Sequence, residues 1–332
     1  MKKIIGLMVF VLLVCTGCGQ QWEYETVFFA MDTYMTIRAY GKQAKDAAIE
    51  AEQSVFTLEN LISRTRENTD IARLNAAGGE VIEVSPEAFE ILRQAQELSI
   101  PGVFDPTIAA VSNLWGINTD AAHVPMQSEI DEALATVSMD NLVLLENNRV
   151  QLLNGAQIDL GGIGKGIAAD RCAELLRGNG VTNALIVLGG NVYALGKKPN
   201  GDIWTIAIAD PDDSASEIAR LQVTDTSVVT TGDYERYFMQ DGVRYHHVFD
   251  PATGAPARSG LRSVTVVNES SALADACSTT LFVLGLEKGL QYCVENDLQA
   301  VFITEDREIY VTEGLRDCFI FLGRGAGYVM GS

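Results

Sequence analysis

Several features are scarce in this sequence, and each scarcity excludes a class of protein. The 332 residues include 24 lysines and arginines against 44 aspartates and glutamates, which gives a formal net charge of −20. So acidic a body repels nucleic acid and anionic lipid headgroups, and this excludes a nucleic-acid-binding protein. After residue 18, no uninterrupted apolar run is long enough to cross a bilayer. The last four cysteines lack Cys-x-x-Cys spacing, which argues against a zinc site.

The first 18 residues, MKKIIGLMVFVLLVCTGC, have the layout of an export signal. Two lysines precede an apolar run from Ile4 to Val14, and small residues follow. The end of this segment resembles a bacterial lipobox with Cys18 as the lipidated residue, although Cys15 stands where leucine is usual. An ordinary cleaved signal without a lipid is the alternative.

These features predict three segments and a location. A lipoprotein signal peptide occupies residues 1–17, a tether residues 18–26, and a single catalytic domain residues 27–332. The protein is expected to be exported and to be anchored to the membrane only through the lipid on Cys18. The body then lies at the extracytoplasmic face of the cell membrane or in the periplasm.

Four cysteines remain in the predicted body. Export permits two disulfides. Three of the four nevertheless stand beside apolar residues in helix-like patterns, which favours buried free thiols. The four are Cys172, Cys277, Cys293 and Cys318.

Strands and helices are interspersed without regular βαβ alternation, which predicts an α+β fold with largely antiparallel sheets. Val27–Tyr40 is rich in aromatic and β-branched residues and is predicted to be a strand. Apolar residues at helical spacing predict helices over Lys42–Ile62 and Ser271–Leu284. Ser128–Val137 is predicted to be a helix that begins with a capping box, and Gln157–Leu160 a short strand.

A glycine-rich turn follows that short strand. The segment Asp159–Gly166 reads DLGGIGKG, so its backbone can approach a ligand closely. The next helix is expected to offer unpaired N–H groups and a positive dipole end to an anion, with the charge of Lys165 beside them. We therefore predict that this segment holds a phosphate-bearing ligand, with Asp159 able to reach a sugar hydroxyl or a ring N–H. A purely structural glycine turn is the alternative.

Two familiar phosphate-binding motifs do not fit this turn. GxxxxGK[ST] is absent, which excludes a Walker A loop. Gly164, Gly166 and Ala169 match GxGxxA, but the dinucleotide fingerprint expects an acidic residue after the second strand. Here the strand Ala184–Leu188 leads instead to Gly189-Gly190-Asn191.

A second candidate site lies on the predicted helix near the C-terminal end of the chain. Asp275 and Thr279 are four residues apart and therefore share one helix face. A carboxylate and a hydroxyl, together with phosphate oxygens and water, are typical Mg²⁺ ligands. A helix cap on a solvated face is the alternative.

Two adjacent histidines, His246 and His247, stand in a predicted strand. Neighbouring residues of a strand point to opposite faces, so at most one of them enters a site. The turn Asp250–Gly254 follows them. His123 lies in a loop and is expected at the surface.

Seven motifs in order along the chain resemble the FAD:protein FMN transferases, the ApbE family of flavin-transferase lipoproteins. The resemblance runs from Phe29 to about Gly314 and covers most of the chain. The motifs are Ala30–Thr33, Gly102–Thr107, Asn113–Gly116, Asp159–Gly166, Gly189–Asn191, His247–Gly254 and Asp275–Gly285.

The resemblance implies an activity. Members transfer the FMN part of FAD to a threonine hydroxyl of a membrane-associated acceptor redox protein, release AMP and need Mg²⁺. Some members instead hydrolyse FAD to FMN and AMP. We therefore expect a transferase, with an FAD pyrophosphatase or a non-enzymatic flavin-binding lipoprotein as alternatives.

The resemblance also implies site residues. The carbonyl of Gly162 would bind Mg²⁺ with Asp275 and Thr279, and His247 would be the acid or base. Thr65 stands where many members have a flavin-stacking tyrosine. The implied FAD contacts are Met31, Val103, Phe104, Asp105, Asp159, Lys165 and Ala257.

Overall fold

A computed structural model describes residues 22–117 and 119–331. The predicted signal peptide and Cys18 lie outside the described residues. The helices are α1 (Ala44–Ile62), α2 (Asp70–Ala76), α3 (Pro86–Leu98), α4 (Ala109–Trp115), α5 (Gln127–Leu134), α6 (Gly164–Gly178) and α7 (Ser271–Glu295). None of these helices is both long and apolar enough to span a membrane.

The strands fall between and after these helices. They are β1 (Glu23–Ala30), β2 (Thr33–Tyr40), β3 (Ile82–Glu83), β4 (Leu142–Leu145), β5 (Arg149–Leu152), β6 (Asn183–Leu188), β7 (Asn191–Leu195), β8 (Trp204–Asp210), β9 (Asp213–Val223), β10 (Thr226–Gly232), β11 (Tyr237–Gln240), β12 (Val243–His246), β13 (Phe249–Asp250), β14 (Ala255–Pro256), β15 (Leu261–Asn268), β16 (Gln299–Thr304), β17 (Glu308–Val311), β18 (Phe319–Phe321) and β19 (Val329–Met330).

Nine of these strands form the main sheet in the order β1-β2-β6-β7-β10-β15-β16-β17-β19. Every neighbouring pair in it is antiparallel except β17 and β19, which are parallel. Smaller antiparallel sheets join β8 with β9 and β18, and β5 with β3 and β4. The predicted α+β fold with largely antiparallel sheets is confirmed.

The main sheet is covered differently on its two faces. Three helices pack on one face. Helix α1 lies against β1 and β2, helix α6 against β6 and β7, and helix α7 against β10 and β15. The sheet of β8, β9 and β18 covers part of the other face through Ile206 and Leu221, which pack with Val228 and Val301. This second layer leaves the β1–β2 end of that face uncovered. Several of its apolar residues there are exposed.

The prediction of one strand over Val27–Tyr40 is wrong, because the segment is the hairpin β1–β2. Its turn consists of Met31 and Asp32, with φ of 48° and 59°. Two successive residues with positive φ are typical of the tight hairpin turns that match strand twist. Methionine is not a turn-forming residue, and the aromatic and β-branched character continues across the turn, so the sequence pattern hides it.

The predicted strand Gln157–Leu160 is also wrong. Apart from one bridge between Gln157 and Ile108, this segment has no strand neighbour. Instead, the side-chain amide of Asn75 pairs with the backbone of Ile158. Its oxygen accepts the Ile158 N–H at 2.7 Å, and its nitrogen donates to the Ile158 carbonyl at 2.9 Å. Backbone hydrogen bonds from Asp159 N–H to the Pro106 carbonyl at 2.8 Å and from Ala109 N–H to the Gln157 carbonyl at 3.3 Å also hold the segment before the glycine turn.

The predicted helices are confirmed with different ends. Helix α5 begins at Gln127, one residue earlier than predicted. The side chain of Glu129 accepts the N–H of Met126, the residue before the helix, at 2.8 Å. The predicted Ser128 capping box is therefore wrong. Helix α7 continues to Glu295 through a kink at Gly285, whose φ of 77° suits glycine. The four cysteines of the body are free thiols, as predicted.

Candidate functional site

The predicted metal residues lie where the first turn of α6 crosses α7. A Cβ atom on Gly166 would lie 2.4 Å from the carbonyl oxygen of Ser271, so only glycine lets the two helices approach this closely. The carboxylate of Asp275 accepts the N–H of Gly166 at 2.8 Å across this contact. Asp275 is 4% exposed, so its charge is held almost inside the protein.

This contact corrects the prediction of an open anion cradle at the start of α6. The N–H of Gly166 is taken by Asp275, and the N–H of Gly164 donates to Leu160 at 2.8 Å. A buried helix end needs partners for its first N–H groups, and the chain supplies them itself. A phosphate at this position would therefore rely on a cation and on Lys165 more than on backbone N–H groups.

Gly162 faces the hydroxyl of Thr279. A Cβ atom on Gly162 would lie 3.8 Å from Thr279 Oγ1 and 2.8 Å from Phe104 Cε2. The hydroxyl of Thr231, at the end of β10, lies 3.5 Å from Thr279 Oγ1 and 2.7 Å from Ser278 Oγ. The structure thus brings Gly162, Asp275 and Thr279 to the same helix junction.

The donor set at this junction fits a hard cation. Among the described residues, no group of three His, Cys, Asp or Glu side chains could hold a metal. A metal would therefore be held by one carboxylate, one hydroxyl and one glycine carbonyl, together with oxygens of the ligand and water. Mg²⁺ is commonly held in this way beside substrate phosphates.

The two histidines point to opposite sides, as predicted. His246 is buried, donates from Nε2 to the carbonyl of Ala257 at 3.0 Å and meets Phe282 edge to face. Burial lowers its pKa to about 4. His123 is exposed, also as predicted.

His247 points toward the charged groups of the site. Its Nδ1 lies 3.3 Å from the carbonyl oxygen of Arg236, which can only accept, so Nδ1 carries the proton and Nε2 makes no hydrogen bond to the described residues. Burial, and then the charges of Arg236 and Lys165, lower the pKa of His247 to about 3. The ring is therefore neutral at pH 7.

Sequence reasoning missed Glu235, which lies among these residues. Its side chain is exposed at the surface, yet desolvation by the surrounding protein raises the pKa of its carboxyl group, and the charges of Lys165 and Arg236 oppose that effect. A Cβ atom on Gly190 would lie 3.3 Å from Glu235 Oε1, which places the carboxylate at the β6–β7 turn. The signal that could have found it is the charged run Asp233–Arg236 directly after a buried strand.

The residues predicted to contact FAD lie mostly on loops. Met31, at the β1–β2 turn, donates its N–H to Glu59 at 2.8 Å. A methionine with positive φ is uncommon, and such strain is concentrated at functional sites. Asp159 pairs with Arg64 at 2.9 Å and accepts the N–H of Gly161 at 2.9 Å.

The remaining predicted contacts differ in accessibility. Phe104 is buried against Gly162, while Val103 is partly exposed in the preceding turn. Asp105 is buried and accepts both the N–H and the hydroxyl of Thr107, at 2.8 and 2.6 Å. Ala257 is buried with its backbone groups bonded to Val248 and His246, so it offers the flavin no free polar group.

Thr65 lies in the exposed loop after α1, beside Arg64. Its Oγ1 lies 3.3 Å from the hydroxyl of Ser63 in the same loop. Because Thr65 is exposed, a larger side chain at this position can extend into solvent.

The model of the ApbE family matches residues 31–302. The chain belongs to the ApbE family. It is 35% identical to the FAD:protein FMN transferase of Treponema pallidum, an alignment that covers 94% of each chain. It is 36% identical to the FAD:protein FMN transferase of Klebsiella pneumoniae over 82% of this chain and 87% of the relative.

Solved structures of ApbE proteins have the same fold. The ApbE protein of Thermotoga maritima superposes with a TM-score of 0.84 at 33% identity, over 90% of this chain and 99% of that protein. The apo flavinyl transferase ApbE of Pseudomonas stutzeri gives a TM-score of 0.80 at 29% identity, over 90% and 97% of the two chains. The ApbE resemblance seen in the seven sequence motifs is thereby confirmed.

Proposed function

We propose that this ApbE-family protein transfers the FMN moiety of FAD onto a threonine hydroxyl of an acceptor redox protein and releases AMP. The observation that carries the proposal is the junction of α6 and α7. There, oxygen donors suited to Mg²⁺ lie near a cationic lysine and a histidine whose Nε2 makes no hydrogen bond within the described part of the chain. The transferase names of the relatives support the same reaction.

The proposed step is a phosphoryl transfer that depends mainly on positioning. The acceptor hydroxyl oxygen forms a bond to the FMN-side phosphorus, and the bond from that phosphorus to the bridging oxygen breaks. The bridging oxygen leaves with AMP. Nε2 of His247 takes the hydroxyl proton, and the negative pyrophosphate would raise the low pKa of the empty site toward a more useful value.

Mg²⁺ fits the donor set and would be held by the Gly162 carbonyl, Asp275 and Thr279. When bound, it would neutralise charge on the pyrophosphate and its leaving phosphate. Lys165 would add a second positive charge beside the phosphates. Met31, Val103, Phe104, Asp105 and Asp159 would line the remainder of the FAD site.

One assay separates this proposal from the two alternatives. The full-length protein in detergent is incubated with FAD, Mg²⁺ and a candidate acceptor domain. AMP and flavin that stays on the acceptor after denaturation are the expected products. Free FMN with an unlabelled acceptor would identify a pyrophosphatase, and tight FAD binding without AMP a flavin carrier.

Export and lipid anchoring also belong to the proposal. They are supported by the sequence of residues 1–18, with Cys18 as the lipidated residue. In a bacterial host, radiolabelled palmitate should enter the wild-type protein and not the Cys18→Ala variant. Equal labelling of both proteins would overturn the assignment.

A further inference from the structure

The outer face of the β1–β2 hairpin carries apolar side chains next to its turn. Val27, Phe29 and Tyr34, here called the tip patch, are 61%, 56% and 75% exposed. Phe29 pairs directly with Tyr34 across the two strands, and their rings meet edge to face at 5.3 Å. The solvated face of an antiparallel sheet normally carries polar residues, so the tip patch calls for a function.

The tip patch adjoins the candidate active site. Thr33, next to Tyr34, lies 3.2 Å from the position of a Cβ atom on Gly189. The following residue, Gly190, faces Glu235, and Arg236 donates to the carbonyl of Asp32 at 3.3 Å. The tip patch therefore lies at the same end of the main sheet as the candidate site, on the sheet face opposite helices α6 and α7.

The opposite end of the same hairpin face is charged. Glu23 and Glu25 are exposed and pair with Arg38, directly after Trp22. Three residues separate Trp22 from Cys18, so a lipid anchor would hold this acidic end within roughly 14 Å of the bilayer. Phe29 lies about 23 Å further along the strand, at the end away from the anchor. The tip patch therefore suits a protein better than a lipid surface.

We propose that the tip patch is the docking surface for the acceptor protein, which would cover Phe29 and Tyr34 with apolar side chains of its own. This proposal rests on the proposed transferase function. Buried aromatic side chains commonly supply much of the binding energy of such contacts. The patch would then set the affinity for the acceptor without touching FAD.

The test compares F29S/Y34S with the wild type and with V294S, which removes an exposed apolar side chain from the far end of α7. The probe is an acceptor domain that the wild type is first seen to flavinylate, so a failed proposed function is recognised at that step. F29S/Y34S should raise the KM for this domain about tenfold or more, with kcat at saturation and the Kd for FAD unchanged. V294S should behave as the wild type.

An unchanged KM for the acceptor domain in F29S/Y34S overturns the proposal. Binding to phosphatidylcholine vesicles, with and without phosphatidylglycerol, is measured in parallel. A double variant that loses vesicle binding but keeps its KM identifies a membrane contact instead and also overturns the proposal. A raised Kd for FAD would place the two residues in the flavin site, and this result also overturns the proposal.

A second observation concerns Asn191, the first residue of β7. It is 1% exposed, and neither atom of its side-chain amide has a hydrogen-bond partner among the described residues. Burial of an unpaired amide is costly, so such groups usually meet a ligand or an ordered water.

The neighbours of Asn191 show where its side chain points. Tyr193, two residues along β7, lies on the same face and accepts a hydrogen bond from Arg177 of α6 at 3.2 Å. On the adjacent strand, Val229 is directly opposite Asn191, and Thr231 is the next residue on that face. Thr231 contacts Thr279, and diagonal neighbours on a sheet are within reach of each other. The amide therefore lies beneath the predicted metal ligands.

We infer that the Asn191 amide hydrogen-bonds the pyrophosphate and the water molecules of a cation bound at this junction. Its Nδ2 would donate to a phosphate or water oxygen, and its Oδ1 would accept from a cation-bound water. Asn191 is thus a positioning residue for the proposed reaction. This inference also rests on the proposed function.

The test uses N191L, which keeps the volume and removes both polar atoms. The matched control is N141L, because the buried amide of Asn141 is fully paired, donating to Thr136 at 3.0 Å and accepting from Asn154 at 2.8 Å. Without ligand, N191L should melt at or above the wild-type temperature and N141L below it. With FAD and Mg²⁺, N191L should show about a tenfold weaker Kd or more, and N141L the wild-type value.

Wild-type affinity for FAD and Mg²⁺ in N191L overturns this inference. A drop in the ligand-free melting temperature as large as that of N141L does so as well, since it would show an internal structural role. A wild-type protein that fails to bind FAD with Mg²⁺ would instead count against the proposed function itself.

Discussion

The two ends of the candidate site, here called the metal end and the flavin end after the ligands proposed for them, are built differently. The metal end, with Asp275 and Thr279, lies between two long helices, and the carboxylate is buried and already hydrogen-bonded to Gly166. The flavin end, with Met31 and Asp159, consists of a hairpin turn and loops, and Asp159 pairs with the partly exposed Arg64. One end is fixed by packing, whereas the other is held mainly at the surface.

This difference has a physical consequence. A substitution that removes the buried carboxylate of Asp275 leaves the Gly166 N–H unpaired and costs stability, whereas one that only removes its charge keeps that hydrogen bond. A partly exposed ion pair contributes little to stability and can rearrange around a ligand. Substitutions at the metal end should therefore affect activity strongly, and also folding where the hydrogen bond is lost, whereas those at the flavin end should mainly affect ligand affinity.

The largest effect is expected at Asp275. D275N keeps an oxygen for the Gly166 N–H but loses the charge, so transfer should fall by about a thousandfold or more with little change in stability. D275A should also lose about 1–3 kcal/mol of unfolding free energy, because the N–H is then unpaired. AMP release and urea unfolding measure the two effects.

The control is D170N, since Asp170 accepts the N–H groups of Ser271 and Ala272 at the start of α7. That variant should change stability without comparable loss of transfer. Normal AMP release by D275N would rule out Asp275 as a metal ligand.

The next effect is expected at Gly162. G162A places a Cβ atom 2.8 Å from Phe104 Cε2, so the turn or the ring must move. We expect about 1–3 kcal/mol lower unfolding free energy and about 10–100-fold slower transfer. G162A/F104L should recover stability but not transfer, and G178A, where a Cβ meets no other atom within 4 Å, is the control. Unchanged transfer in G162A would contradict the placement.

A pH effect on the free energy of unfolding is expected from His246, the more buried of the two adjacent histidines. Burial lowers the pKa of His246 from 6.5 to about 4, so the unfolded chain binds the proton more tightly. The contribution to stability is complete above pH 6.5 and is lost as the pH falls toward 4. Between pH 7 and pH 5 the loss should be about 2 kcal/mol.

H246Q can keep the hydrogen bond to the Ala257 carbonyl without titrating in this range. The difference in unfolding free energy between wild type and H246Q, measured at pH 7 and pH 5, should therefore shrink by about that amount. A difference that is the same at both pH values would show that His246 does not titrate as its burial requires.

The smallest effect is expected at Thr65, on the flavin end. If the loop adapts to the ligand, T65Y should lower the Kd for FAD about 3–10-fold through ring stacking, with unfolding free energy within about 0.5 kcal/mol of the wild type. T57Y, on the exposed side of α1, is the control. Fluorescence titration measures the affinity. No gain in T65Y would mean that the loop does not bring residue 65 to the flavin.

Much of the fold could be predicted from local sequence patterns. The spacing of apolar residues predicts α1 and the face that it buries. Ser85 as the N-cap, followed by a proline, predicts where α3 begins. The β1–β2 turn could not be predicted in this way, because Met31 is not a turn-forming residue and Glu59, which accepts its N–H, is 28 residues away. The extended segment before α6 likewise depends on Asn75, which local periodicity does not reveal.

By itself, the sequence determined which chemical groups this protein has: a glycine turn with a lysine, a carboxylate and a hydroxyl one helical turn apart, and two histidines on opposite faces. Only the tertiary structure decided which groups meet. It turned His247 toward Lys165 and His246 into the core, brought Glu235 into the site, and gave the N–H of Gly166 to Asp275. The physical reason is that contacts between residues about 100 positions apart depend on how the helices cross, and the local pattern does not encode that crossing.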